Sequence, residues 1–211
     1  MSRKRIVLLN YGAGNMASIR NALQYLEIDF VEISENNLVE ENDDAYILPG
    51  VGSFYKASLD IRNRGFIKMI KKNPRLIGIC LGMQLLFSEG AEGGVSEGLG
   101  LIPGKVLSLS EHRLYRTGIR LPHVGWNNLV IEDEHTERFE PLTIDSDVYF
   151  VHSFMAFGVP KENLIATATF SGISIPSVVA KDKVIGFQFH PEKSGYSGLQ
   201  MLKHAIEFIA N

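Results

Sequence analysis

The run Leu76, Ile77, Gly78, Ile79, Cys80, Leu81, Gly82, Met83, Gln84, Leu85, Leu86, Phe87 constrains the fold of this chain most, because it sets the only cysteine at a junction between two kinds of element. Leu76 to Ile79 is apolar throughout, as in a central strand of a parallel sheet covered on both faces, and the spacing of Met83, Leu86 and Phe87 reads as a helix face. Glycines two residues to either side of Cys80 permit the sharp turn of a nucleophile elbow. In that geometry the sulfur faces a helix N-terminus, which favours thiolate over thiol. The N–H of Leu81 then points at the attacked carbonyl oxygen and supplies half of an oxyanion hole. Taken alone, the stretch also fits an inert core cysteine.

A second apolar run, Val184 to Phe189, ends in His190, Pro191 and Glu192. A cysteine nucleophile needs an imidazole, and the imidazole needs an acid to orient it. Pro191 stops the strand, so His190 sits at its carboxyl end, where Glu192 can fold back onto the ring nitrogen distal to sulfur. Strands ending at one sheet edge bring Cys80 and His190 together, the edge where open α/β sheets bind ligands. The bland alternative is a capping histidine beside a solvated glutamate. A third motif, Leu48 to Phe54, follows the strand Ala45 to Leu48. Its glycines let the backbone approach a bound group, and Val51 or Gly52 can give the second oxyanion N–H. In isolation it is equally a tight turn.

Strands near Arg5–Leu9, Phe30–Ile33, Ala45–Leu48 and Leu76–Ile79 alternate with helices near Asn15–Leu26 and Ser58–Lys72, the pattern of a parallel sheet with helices on both faces. From Gly104 to Lys183 the character changes to short strands near Val106–Leu109, Leu129–Ile131, Val148–His152, Leu164–Phe170 and Ser177–Ala180, read as antiparallel additions. A closing helix carries Leu199, Leu202, Ile206 and Ile209 on one face. The expectation is one domain over residues 1–211, with no linker. A formal net charge of -3 gives no reason to expect nucleic acid. Neither a signal-peptide core nor a membrane span is evident in the sequence, and one cysteine suits a reducing cytoplasm. His112, His123, His135, His152 and His204 show no metal-ligand spacing, so neither metal nor cofactor is expected. Trp126 reads, from the residues alone, as buried.

Together with Asn10 to Asn15, Pro122 to Asn127, Tyr149 to Ser153 and Phe187 to Gly195, in this order and spacing, these motifs resemble the class I (triad) glutamine amidotransferases. Within that family the resemblance leans toward glutaminase subunits of imidazole glycerol phosphate synthases. It implies a flavodoxin-like α/β fold with a parallel-to-mixed sheet flanked by helices and antiparallel additions. It further implies Cys80 as nucleophile, His190 as general base then acid, Glu192 as its orienter, and Val51 and Leu81 as oxyanion-hole amides. Gly50, Gly52, Gln84 and Glu92 match positions that line or hold L-glutamine, and Ser153 and Phe154 match the backbone segment that reads its amino-acid end. Phe154 departs from the tyrosine usual there, which a main-chain contact survives. Met16 and Val124 are milder departures. Asn15, Trp126 and Lys193 match positions facing a synthase subunit, a TIM-barrel cyclase that forms a heterodimer with the glutaminase and receives its ammonia. The Val51 loop is then the switch by which docking activates hydrolysis.

Three alternatives stay open at this point. The same glutaminase chemistry serves synthases that amidinate a sugar for surface glycans. Gly12, Gly14 and Ala17, with Glu32 near the end of the second strand, form a dinucleotide-binding fingerprint. Cys80 also suits a thiol redox sensor.

Overall fold

A computed structural model describes residues 4–35, 44–116, 118–132 and 147–211; His135 lies outside them. Four short parallel strands are apolar because they are covered on both faces: β1 (Ile6–Leu9), β3 (Ala45–Leu48), β4 (Leu76–Ile79) and, late in the chain, β13 (Val184–Phe187) are buried at every position. Alternate residues serve opposite layers. Leu8, Ile47, Ile77 and Ile185 face α1 (Met16–Tyr25) and the closing helix α5 (Gly195–Ala210), whose Leu202, Ile206 and Ile209 are buried as the sequence expects. Val7, Leu9, Tyr46 and Leu48 face α2 (Phe54–Asn63) and α3 (Phe66–Lys72).

The single helix expected over Ser58–Lys72 is therefore two. Phe54, Ile61, Phe66 and Ile70 all reach one core, which keeps the apolar pattern continuous, but Gly65 takes φ 74° and breaks the hydrogen-bonded run. The elbow helix α4 (Leu81–Gln84) is also shorter than its apolar spacing suggests, a single turn.

Among the described residues the strands form two sheets. With β2 (Phe30–Ile33), β8 (His123–Ile131), β9 (Asp147–His152), β11 (Leu164–Phe170) and β12 (Ile173–Lys181), the larger runs β2-β1-β3-β4-β13-β12-β11-β8-β9. It is parallel from β2 to β13 and antiparallel beyond. The smaller sheet, β10-β7-β5-β6, is built from β5 (Glu89–Gly90), β6 (Ser96–Glu97), β7 (Lys105–Ser108) and β10 (Phe154–Phe157). The antiparallel additions are as expected, but β8 and β12 extend well beyond Leu129–Ile131 and Ser177–Ala180. Strand order reverses between β1 and β3, so the loops after β1, β3, β4 and β13 open at one carboxyl edge. That edge carries all three sequence motifs.

Candidate active site

Cys80 leaves β4 with φ 52° and ψ -108°, a backbone conformation that few non-glycine residues adopt, and its N–H donates to the Phe187 carbonyl of β13 at 2.7 Å. The flanking glycines are required by close approach. A Cβ on Gly78 would stand 2.5 Å from the Gly82 carbonyl oxygen, and one on Gly82 would overlap the Leu48 carbonyl. The thiol is 5% exposed, with Sγ 3.9 Å from Gln188 Nε2 and 4.0 Å from the Val151 carbonyl oxygen. Because α4 is one turn long, little helix dipole faces the sulfur, and Gln188 Nε2 is a donor within reach of it.

β13 pairs with β4 in register, Phe187 beside Ile79, so His190 emerges next to the elbow. Pro191–Lys193 forms a 3₁₀ turn that folds Glu192 back, and His190 Nδ1 lies 2.7 Å from Glu192 Oε1 with both side chains buried. The solvated-glutamate alternative does not hold. Ser194 fixes the base of this turn, donating from Oγ to the His190 carbonyl at 2.7 Å and accepting from the Tyr149 N–H at 2.9 Å. Burial disfavours the imidazolium, yet Cys80 and Glu192 outweigh it and raise the pKa of His190 to about 10. With Glu192 on Nδ1, the other nitrogen is left for chemistry, and His190 Nε2 is buried with no hydrogen-bond partner among the described residues.

The glycine loop after β3 reaches the same point from the other side. The Leu81 N–H donates to the Gly50 carbonyl at 3.3 Å, so it is engaged rather than aimed at a substrate. In a planar trans peptide the carbonyl and the next N–H point to opposite sides, so the Val51 N–H turns away from Leu81. The oxyanion hole expected from Leu81 and Val51 is thus unformed in this state. Tyr11 holds the loop, its hydroxyl donating to the Pro49 carbonyl at 2.6 Å and filling the space a Gly50 side chain would need. Gly52, at φ 125°, gives the freedom to turn.

A pocket of about 270 Å³ opens over Cys80, walled by Val51, Gly52, Gln84, Glu92, Ser153 and Phe154. Gly50, matched to the same role, is not among the residues that wall it. Gln84 Nε2 donates to the Phe154 carbonyl at 3.0 Å and to Gln188 Oε1 at 3.3 Å. Glu92 accepts the Phe54 N–H at 3.1 Å, capping α2, while burial raises its carboxyl pKa. Among the residues matched to a partner face, Lys193 is exposed and Trp126 is 55% exposed, which corrects the expectation that Trp126 is buried. The Asn15 side chain turns inward instead: Nδ2 bonds Glu192 Oε1 and lies 3.5 Å from His190 Nδ1. Glu32, the acid of the dinucleotide fingerprint, accepts from Asn10 Nδ2 at 2.8 Å and faces Arg20 at 3.6 Å. Among the described residues no group of three or more His, Cys, Asp and Glu side chains is arranged to hold a metal ion.

Sequence reasoning missed Gln188, Tyr11 and the inward turn of Asn15. Gln188 had a signal, as the lone polar residue in an apolar run. The inward turn of Asn15 had none, because its partners are far along the chain.

The family model Glutamine amidotransferase class-I matches residues 7–207. Imidazole glycerol phosphate synthase subunit HisH of Bacillus velezensis is 40% identical over 97% of each chain, and that of Staphylococcus aureus 40% identical over 96% of each. Among solved structures, a glutamine amidotransferase superposes with a TM-score of 0.72 at 19% identity, covering 98% of this chain and 99% of its own. A chain of PurLQS from Thermotoga maritima gives 0.65 at 15% identity, covering 99% and 100%.

Proposed function

The chain belongs to the class I glutamine amidotransferases, and on that premise we propose that it is the glutaminase subunit of an imidazole glycerol phosphate synthase, acting as one domain in histidine biosynthesis. The observation that carries the chemistry is the convergence of Cys80, at a strained strand end, with His190 and Glu192 at the end of the adjacent parallel strand. Near-full-length identity to HisH subunits favours a cyclase as ammonia acceptor over a sugar-amidinating synthase.

In this mechanism the Cys80 thiolate attacks the side-chain amide carbon of L-glutamine, and the carbonyl electrons pass to an oxyanion. His190, carrying the proton, delivers it to the leaving nitrogen as the tetrahedral adduct collapses to a thioester and ammonia departs. His190 then takes a proton from water, which attacks the thioester and releases glutamate. Glu192 keeps the ring in the tautomer that presents Nε2. The oxyanion needs donors, so the Gly50–Val51 peptide has to turn, freeing the Leu81 N–H and bringing in that of Val51. Removing one such donor costs about 10²–10³ in rate, so the chain alone is a weak glutaminase. Docking of the cyclase as a heterodimer is the event that turns the peptide. The setting is the cytoplasm; no helix among the described residues is long and apolar enough to cross a membrane.

The test is glutamate release from glutamine by wild type and Cys80→Ala, with and without a cyclase subunit. Cys80-dependent hydrolysis that rises on adding the cyclase is expected. Equal rates with and without it would remove the activation step.

A further inference from the structure

Two buried histidines stand beside the pocket with no role in the chemistry above. His123 of β8 and His152 of β9 pair across the strands, Nδ1 of His123 to Nε2 of His152 at 3.0 Å. His152 lines the pocket, and its Nδ1 lies 2.8 Å from the Phe154 carbonyl, the acceptor that also takes Gln84 Nε2. The His123 ring is stacked between Phe150 and Phe170, with centroids at 4.8 and 4.2 Å, so the direction of its nitrogens is fixed. Its Nε2 lies 2.8 Å from Asn127 Oδ1.

The Phe154 carbonyl determines where the protons are. A carbonyl only accepts, so His152 carries its proton on Nδ1. Burial disfavours its charged form and pushes its pKa down to about 3, leaving Nε2 bare to accept the Nδ1 proton of His123. Burial lowers the pKa of His123 as well. Two neutral rings supply two protons for three links, so with His152 and His123 each protonated on Nδ1 the third link, at His123 Nε2, has to draw its proton from Asn127. That requires the Asn127 amide in the orientation opposite to the one in which Oδ1 faces His123 and Nδ2 donates to the Thr169 carbonyl at 2.8 Å, and it gives up the Thr169 bond.

Ser153–Phe154 is where the chain leaves the large sheet for the small one, between the end of β9 and the start of β10. A junction of this kind has only a short ladder to hold it. The double acceptance at Phe154 O supplies the constraint.

We propose that His152, its tautomer set by His123, is a positioning residue that fixes the Phe154 carbonyl and thereby the backbone reading the amino-acid end of the substrate. This rests on the glutaminase function proposed above. Glutamine binding is its readout and the thiol chemistry is not, which separates it from a residue acting on Cys80 or His190. It also explains why Phe154 serves without a phenol hydroxyl, since recognition runs through main chain held from behind.

The experiment is steady-state glutamine hydrolysis by wild type, His152→Leu and His152→Asn, together with ¹⁵N-detected NMR of the ring nitrogens in wild type at neutral pH. His152→Leu is expected to raise KM about ten-fold, the size of one lost hydrogen bond, with kcat within about three-fold. His152→Asn, which keeps an N–H near the Nδ1 position, restores most of the KM. The NMR is expected to show His152 neutral and protonated on Nδ1, with Nε2 accepting. An unchanged KM in His152→Leu, or a ring protonated on Nε2, overturns the positioning role. If the leucine variant does not fold, the asparagine variant and the wild-type tautomer decide it. No Cys80-dependent hydrolysis in wild type overturns the glutaminase function, and this role with it.

Discussion

At the scale of single residues, Glu192 Oε1 carries two donors, His190 Nδ1 and Asn15 Nδ2. Asn15 is brought there by a left-handed backbone at φ 73° just before α1, so a residue matched to a partner face also steadies the acid. Asn15→Ala should lower kcat about ten-fold with little change in KM, the cost of a lost charge-assisted bond; an unchanged kcat would show that Glu192 is held well enough by His190 alone. The raised pKa of His190 gives a second prediction. Burial lowers it, Cys80 and Glu192 raise it further, and the net is about 10. Cys80→Ala should bring it down, read by NMR titration of the ring. A histidine raised in the fold stabilises it fully below about 6.5, its unfolded value, and loses that contribution as pH climbs through about 10. Glu192→Gln should therefore flatten the fall of the urea midpoint between pH 6.5 and 10, and a parallel fall in both proteins would refute it.

Elements show why some of this was legible in the sequence and some was not. The elbow, the glycine loop and the His190 turn each pack their chemistry into a few consecutive residues at a strand end, so spacing made each a candidate and the resemblance of the set gave them roles. Gly78 and Gly82 were readable because close approach of backbones leaves room only for hydrogen. Gly82→Ala, pressing a Cβ into the Leu48 carbonyl, should cost about 1–3 kcal/mol in chemical denaturation and move the elbow; wild-type stability would mean that β3 can yield. The break at Gly65 was hidden because α2 and α3 address the same core with one apolar period. Strand β8 was underestimated because glycine and asparagines interrupt its apolar residues, although Val124, Trp126 and Val130 on one side against His123 and Leu129 on the other is a two-residue alternation. The His123–His152 pair and the Asn15–Glu192 contact depend on which distant strands become neighbours. No local pattern encodes that.

For the whole molecule the question is how an outer surface reaches a buried sulfur. Val124, Trp126 and Val130 of β8 are each more than half exposed, an apolar row that water tolerates poorly and a docked protein would cover. Trp126 packs edge-on to Tyr149, and the Tyr149 carbonyl accepts the His190 N–H at 2.9 Å, so one strand joins this row to His190. Inward from the same strand, His123 leads through His152 to the Phe154 carbonyl. Ammonia released into water would be protonated and lost to the acceptor, so a subunit that hydrolyses glutamine slowly until covered wastes less of it. Trp126→Ala should weaken binding of the cyclase by about ten-fold or more, as expected for a central aromatic anchor, while hydrolysis by the chain alone stays within about two-fold. Calorimetric titration of the cyclase, beside glutamate release at saturating cyclase, separates affinity from activation. Restored activation at saturation would make Trp126 a docking anchor alone; activation still missing with the complex formed would place it on the path that turns the Gly50–Val51 peptide. Wild-type affinity and wild-type activation together would move the interface off β8.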